Sequence, residues 1–157
     1  MSKVWLITGS GNGLGRDIAE AALAAGDSVV AGARRTEELA PLVAQYRERV
    51  KPVTLEVRDE AAAKAAVQLA VDSFGRLDVL VNNAGYGQIA PFEQMSAEDF
   101  QAVVDTCFYG VVYTTRRCAG DAQAEERSHL SGVFGRRSPR GSRQYALSRG
   151  QVGCRRF

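Results

Sequence analysis

The stretch Thr8-Gly-Ser-Gly-Asn-Gly-Leu-Gly15 decides the fold of this chain. It follows an apolar run at residues 4–7 and opens a helical pattern of apolar residues that continues to residue 25. A strand, a glycine loop and a helix in this order present the helix N-terminus to a phosphate, because its unpaired N–H groups and positive dipole end attract an anion. This context favours dinucleotide binding over the alternative, a merely flexible loop.

Each of the three spaced glycines in this stretch has an expected role. Gly9 permits a tight turn, Gly13 allows the backbone to approach a pyrophosphate, and Gly15 lets the helix pack closely on the strand. Their spacing is Gly-x-x-x-Gly-x-Gly, whereas ordinary dinucleotide-binding folds have Gly-x-Gly-x-x-Gly.

A second motif, Asn82-Asn83-Ala84-Gly85, follows the apolar run at residues 79–81. Together the two motifs resemble the short-chain dehydrogenase/reductase family, and the resemblance covers residues 3–115. It implies a nicotinamide dinucleotide cofactor and hydride transfer to or from a small carbonyl or alcohol substrate. The predicted cofactor-binding residues are Thr8, Gly9, Ser10, Asn12, Gly13, Leu14, Gly15, Arg34, Glu56, Val57, Asn82, Asn83, Ala84 and Gly85.

Strand and helix patterns alternate through the same region. The predicted strands are residues 4–8, 28–33, 53–57 and 79–81, and the predicted helices are residues 13–25, 36–50, 60–74 and a long helix beginning after Ser96. Asp59 and Gly75 are the expected cap and terminator of the third helix. Right-handed crossovers then give an α/β, doubly wound parallel sheet (Rossmann fold) ordered 3-2-1-4 and incomplete at its C-terminal side.

The end of the second strand predicts NADP in preference to NAD. Residues 32–35 read Gly-Ala-Arg-Arg, so no carboxylate repels a 2′-phosphate, and a guanidinium group suits one. Arg34 is the expected contact, although two solvated arginines would give the same pattern. By resemblance, Glu56-Val57 would hold the adenine, and the backbone of residues 83–85 would pass the nicotinamide ribose. Cys107 stands where the family has an Asn that joins a proton relay, and a thiol cannot replace the hydrogen bonds of an amide.

Composition suggests one cytoplasmic domain followed by an unusual tail. The 157 residues contain three cysteines without metal-ligand spacing, which indicates reduced thiols and no metal site. No run has the length of a membrane span or the pattern of a signal peptide. Residues 116–157 contain ten arginines against three acidic residues. We therefore expect a dinucleotide-binding domain at residues 1–115 and an Arg-rich tail at residues 116–157.

The tail lacks the catalytic residues that the resemblance implies. The family signature is Tyr-x-x-x-Lys, with a Ser thirteen residues before the Tyr at the end of an apolar strand. Tyr145 and Arg149 imitate the motif with Arg in place of Lys, but Gly132 stands at the Ser position and no apolar strand precedes it. We expect this similarity to be coincidental, since a motif without its structural context is only a hypothesis. The catalytic residues are thus not identified.

A single-base frameshift near residues 113–121 is our hypothesis for the tail. Codons allowed for residues 121–137, read one base later, can spell an apolar fifth strand ending in Ser-Ser. Those allowed for residues 144–156 can spell Tyr-x-x-x-Lys followed by an apolar helix, at the spacing that the family has. In the restored frame we expect an active enzyme and possible homo-oligomers, as the family has. The alternatives are a non-catalytic, truncated NADP-binding fragment and an arginine-rich arm for nucleic acid.

Overall fold

Five parallel strands form one sheet, in the order β3-β2-β1-β4-β5, in a computed structural model that describes residues 2–121 and 128–131. The strands are β1 Val4–Thr8, β2 Ser28–Ala33, β3 Val50–Thr54, β4 Val79–Asn82 and β5 Ser128–Ser131. The helices are α1 Gly13–Ala24, α2 Ala40–Tyr46, α3 Glu60–Phe74, α4 Ala97–Val104 and α5 Gly110–Asp121. A 3₁₀ turn, Thr36–Leu39, precedes α2, and a π-helical turn, Asp105–Tyr109, joins α4 to α5. The predicted fold class is confirmed.

Helices cover both faces of the sheet, which explains why its strands are apolar without alternation. Ile7 and Ala31 pack on one face with Leu23 of α1. Leu6 and Val30 pack on the other face, against a cluster that includes residues of α3 and α5. Adjacent residues of β1 and β2 thus pack into two different hydrophobic cores, one on each face of the sheet. The carboxyl ends of these strands lie between the two helical layers.

The prediction for the third strand was wrong by three residues. We expected residues 53–57, but β3 is Val50–Thr54, and the preceding helix is shorter than predicted because α2 ends at Tyr46. Arg47 follows with a φ of 49°, which lies outside the right-handed helical region, so α2 does not continue through it. Pro52 lies within β3, and this is tolerated because β3 is an edge strand of the described sheet.

The predicted strand order 3-2-1-4 lacked one strand of the described sheet. Ser128–Ser131 forms β5, which pairs in parallel with β4 so that Asn82 is opposite Ser131. The sequence Ser-His-Leu-Ser does not predict a strand because it has no apolar run, whereas strand pairing itself depends on the backbone. The boundary that we predicted at residue 116 falls inside α5, so the division into two segments stays a prediction.

The predicted helix ends are confirmed at three positions. Asp59 accepts a hydrogen bond from the Ala61 N–H at 2.8 Å, and Ser96 accepts one from the Asp99 N–H at 3.1 Å. Gly75 ends α3 with a φ of 77°. Of the helices in the described part of the chain, none is long and apolar enough to cross a membrane.

Candidate cofactor-binding site

The glycine loop lies at the carboxyl ends of β1, β2 and β4, where the strand order reverses. Gly9 and Gly13 have φ values of 68° and 59°, which residues with a side chain rarely adopt. A Cβ atom on Gly9 would lie 3.0 Å from the Ala84 Cα. The loop therefore turns tightly at Gly9, as predicted, and touches the turn that follows β4.

The N-terminus of α1 is open. Asn12 precedes it with an extended backbone, and within the described chain its side chain does not cap the helix. The first turn of α1, which is fully described, contains no acidic residue, and a Cβ atom on Gly13 would meet no described atom within 4 Å. The first N–H groups of a helix need partners from outside it. This arrangement fits the pyrophosphate of a dinucleotide.

Gly15 has a more specific packing role than the sequence predicts. A Cβ atom at this position would overlap the side-chain amide of Asn83 and the carbonyl of Gly9. The first turn of α1 therefore packs against its own loop and against the residue that follows β4. A larger residue would push these two elements apart.

The Thr8 hydroxyl connects the end of β1 to the turn after β4. It accepts hydrogen bonds from the Asn83 N–H at 3.0 Å and the Ala84 N–H at 2.9 Å, and it donates to the Val81 carbonyl at 3.4 Å. The Asn83 side chain completes the connection, donating to the carbonyls of Thr8 and Gly9 at 3.0 and 3.1 Å. We call these contacts the Thr8–Asn83 clasp. Thr8 is only 1% exposed, so its side chain positions the site from inside the protein.

Two more of the predicted binding residues are buried with internal partners. The Ser10 hydroxyl donates to the Ile7 carbonyl at 2.6 Å, and the Ser10 N–H donates to the Gly32 carbonyl at 2.8 Å. Asn82 accepts a hydrogen bond from the Thr114 hydroxyl at 2.6 Å. Sequence analysis missed Thr114, although a polar residue four positions after Gly110 on the buried face of a helix is a detectable signal.

Charged side chains surround the end of β2. Arg34 and Arg35 are exposed, and Arg35 forms an ion pair with Glu38 in the following 3₁₀ turn. Glu56, which follows β3, accepts hydrogen bonds from the backbone and side chain of Arg58 at 3.2 and 3.1 Å. Our sequence analysis included neither Glu38 nor Arg58. Both had a local signal, an opposite charge two or three residues away: Glu56 for Arg58 and Arg35 for Glu38.

Glu56 stays ionised more readily than an ordinary glutamate. Partial burial raises the pKa of its carboxyl, but the hydrogen bonds from Arg58 and the positive charges of Arg58 and Arg34 outweigh burial and lower the pKa below 4.5. The same pair raises the pKa of Arg58. The end of β3 therefore carries a paired charge beside Arg34.

The other predicted residues line the edges of the site. Leu14 is half-buried in the first turn of α1. Val57 is buried, and a Cβ atom on Gly110 would lie 2.8 Å from its Cγ2, so α5 approaches the expected adenine position closely. Cys107 is half-buried in the π-helical turn, and its thiol donates to the Tyr86 carbonyl at 3.4 Å. The thiol thus borders the turn that begins with the predicted residue Gly85.

The loop after this turn forms an open depression lined by residues 86–89. Tyr145 and Arg149 lie outside the described residues. So do most of the residues whose codons the frameshift hypothesis uses. Within residues 2–121 and 128–131, no group of three or more His, Cys, Asp and Glu side chains could hold a metal ion. Around the glycine loop, the groups in this part that could meet a ligand are mainly backbone N–H groups.

Comparisons with known proteins agree on one family. A model described as short chain dehydrogenase matches residues 3–128. Oxidoreductase BOA17 of Botryotinia fuckeliana is 41% identical, over 98% of this chain and 57% of its own length. A short-chain dehydrogenase structure from Streptomyces avermitilis has a TM-score of 0.78 at 38% identity, covering 83% of this chain and 48% of that one.

A third relative was solved with a nucleotide. It is 3-ketoacyl-(acyl-carrier-protein) reductase from Brucella melitensis complexed with NADH, with 34% identity and a TM-score of 0.70. The match covers 73% of this chain and 48% of the reductase. Across these three proteins, this chain spans about half the length of the relatives that it matches.

Proposed function

The chain belongs to the short-chain dehydrogenase family, and on that premise we propose that it is the NADP(H)-binding part of an oxidoreductase. The substrate class that we propose is a small carbonyl compound or alcohol, and the location is cytoplasmic. One observation carries the proposal: the N-terminus of α1 is uncapped and open above Gly13. Internal hydrogen bonds hold the two flanking turns in fixed positions around it.

The backbone of this chain supplies most of the proposed binding contacts. The N–H groups at residues 13–15 bind the pyrophosphate, since a helix N-terminus favours an anion. Glu56 and Val57 border the adenine, and the backbone of residues 83–85 passes the nicotinamide ribose. The Thr8–Asn83 clasp sets the distance between the glycine loop and the turn at residues 83–85, because it joins the two segments directly.

Arg34 is the basis for proposing NADP in preference to NAD. It is exposed at the carboxyl end of β2 and close enough to Glu56 to lower the pKa of that carboxyl. A guanidinium group in this position binds a 2′-phosphate through charge-assisted hydrogen bonds. One relative was solved with NADH, so membership of the family does not by itself predict NADP. The preference for NADP therefore depends on Arg34.

Equilibrium binding tests this part of the proposal. We expect NADPH to bind the 157-residue chain more tightly than NADH, and the thermal transition to rise with NADPH concentration because the ligand binds only the folded state. Calorimetric titration with both nucleotides measures the ratio directly. Equal affinities would overturn the NADP preference, and no binding of either nucleotide would overturn the proposed function.

The catalytic step depends on residues outside the described part. A bound nicotinamide would supply or accept the hydride at the substrate carbon, and the chain must provide a general acid at the substrate oxygen. In the frame as written, the only candidate that our sequence analysis found is Tyr145 with Arg149. We propose that this chain binds cofactor but turns over carbonyl substrates negligibly, and that the restored frame encodes the active enzyme.

Resequencing the gene from the Gly110 codon tests the frameshift hypothesis. The alignment with oxidoreductase BOA17 runs through 98% of the chain in the written frame, whereas the family match ends at residue 128. A single inserted or missing base that restores Tyr-x-x-x-Lys would support the hypothesis. A confirmed frame, or clear NADPH-dependent reduction by this chain, would contradict it.

A further inference from the structure

Glu38 contacts two parts of the candidate site through its two carboxylate oxygens. Its Oε1 forms the ion pair with Arg35. Its Oε2 lies beside Gly11, in the space that a Cβ atom on Gly11 would occupy. Gly11 is buried, and the Glu38 side chain is 28% exposed whereas that of Arg35 is 77% exposed. Glu38 therefore packs over the middle of the glycine loop.

This position brings a negative charge to the adenosine end of the site. The glycine loop and the end of β2 are joined by the Ser10 N–H, which donates to the Gly32 carbonyl at 2.8 Å. A ribose bound between them would place its 2′ substituent near Arg34 and Arg35, the first residues after β2. Glu56, beside Arg34, is already paired with Arg58, and exposed Glu37 has no contact with the glycine loop among those described for that loop. Glu38 is therefore paired with Arg35, one of the two cations that a 2′ substituent would approach.

We propose that Glu38 is a specificity-determining residue that restrains the preference for NADP. It competes with a 2′-phosphate for Arg35 and repels that phosphate, and it offers an acceptor to the 2′-hydroxyl of NAD. The inference rests on the proposed function, since it concerns the same cofactor site. An exposed ion pair three residues apart ordinarily has little effect, but the contact with buried Gly11 fixes this carboxylate against the loop.

The test compares Glu38→Gln with Glu37→Gln, its matched control. Glu37 is an exposed neighbour in the same 3₁₀ turn, so both variants lose one negative charge and only one of them loses the contact with Arg35. Gln has nearly the same shape as Glu, so folding should persist, and thermal unfolding without ligand checks this. The ligands are NADP⁺, NAD⁺ and the fragments 2′,5′-adenosine diphosphate and 5′-adenosine diphosphate.

We expect Glu38→Gln to bind NADP⁺ and 2′,5′-adenosine diphosphate about fourfold to tenfold more tightly, the size of effect expected when one like charge is removed from a solvated site. NAD⁺ and 5′-adenosine diphosphate should bind no more tightly than before, and Glu37→Gln should change every affinity less than twofold. Equal ratios in the two variants, or weaker NADP⁺ binding to Glu38→Gln, would overturn the inference alone. If the unmodified chain bound no dinucleotide, both the proposed function and this inference would fail.

Discussion

Replacing Gly13 by Ala should weaken nucleotide binding strongly while it changes folding stability only slightly. Gly13 has a φ of 59°, and a Cβ atom there would meet no described atom within 4 Å. The effect on folding is then limited to left-handed backbone strain of about 1 kcal/mol, or roughly 2–4 °C in Tm for a domain of this size. The same Cβ atom would enter the space that the pyrophosphate needs. Losing one charge-assisted hydrogen bond, about 1.5–3 kcal/mol, should weaken binding by roughly 10- to 100-fold.

Gly75→Ala is the control for this prediction. Gly75 has a φ of 77°, and a Cβ atom there would also meet no described atom within 4 Å. It ends α3 shortly before β4 begins, on the side of the sheet where the strands start, whereas the glycine loop follows the carboxyl end of β1. Both variants should therefore lower Tm by similar amounts, measured by circular dichroism, but only Gly13→Ala should lose NADPH binding, measured by calorimetry. Our reasoning would be refuted if Gly13→Ala kept its Kd within twofold, or if Gly75→Ala lost as much affinity.

Three further substitutions test the supporting contacts. Thr8→Val leaves two backbone N–H groups without an acceptor, so the free energy of unfolding should fall by about 1–3 kcal/mol or more. Equal urea midpoints for Thr8→Val and Thr8→Ser would refute the clasp. Gly15→Ala should lower Tm because its Cβ overlaps the Asn83 amide, an overpacking cost of about 1–3 kcal/mol, and an unchanged Tm would contradict this packing. Glu56 has a lowered pKa in the native state. Its contribution to stability is therefore complete above pH 4.5, the ordinary pKa of a glutamate, and is lost as pH falls through the native pKa. Glu56→Gln should therefore be less stable than the unmodified chain at pH 7, and the difference should shrink as pH falls below 4.5, by urea denaturation; a constant difference would contradict the lowered pKa.

Local signals in the sequence were sufficient to predict the first strand, the glycine loop and α1. Gly9 and Gly13 need positive φ values, and this requirement is visible in the residue type itself. The partners of this loop were not visible, because the Thr8 hydroxyl binds backbone groups 75 and 76 residues away in the chain. A motif can reveal that a residue matters without revealing whether its side chain faces the ligand or the protein interior.

The errors in the sheet have the same physical origin. The predicted third strand began after Pro52, yet Pro52 lies inside β3, where an edge position tolerates a residue that cannot donate a hydrogen bond. We expected no strand at residues 128–131 because they contain a single apolar residue, yet the pairing with β4 is made by the backbone. In both cases the position of the strand in the sheet decided the outcome, and that position is a property of the whole fold.

The contacts in the site suggest a division of roles between side chains and backbone. The hydroxyls of Thr8 and Ser10 and the amide of Asn83 all make hydrogen bonds inside the protein. Those bonds fix the glycine loop, so the N–H groups at the start of α1 are held toward open space before any ligand arrives. Binding then requires little ordering of the chain, and ordering is a major opposing term in association. It follows that exposed Asn12 should tolerate substitution with little loss of cofactor affinity, whereas buried Thr8 should not, although both belong to the same motif.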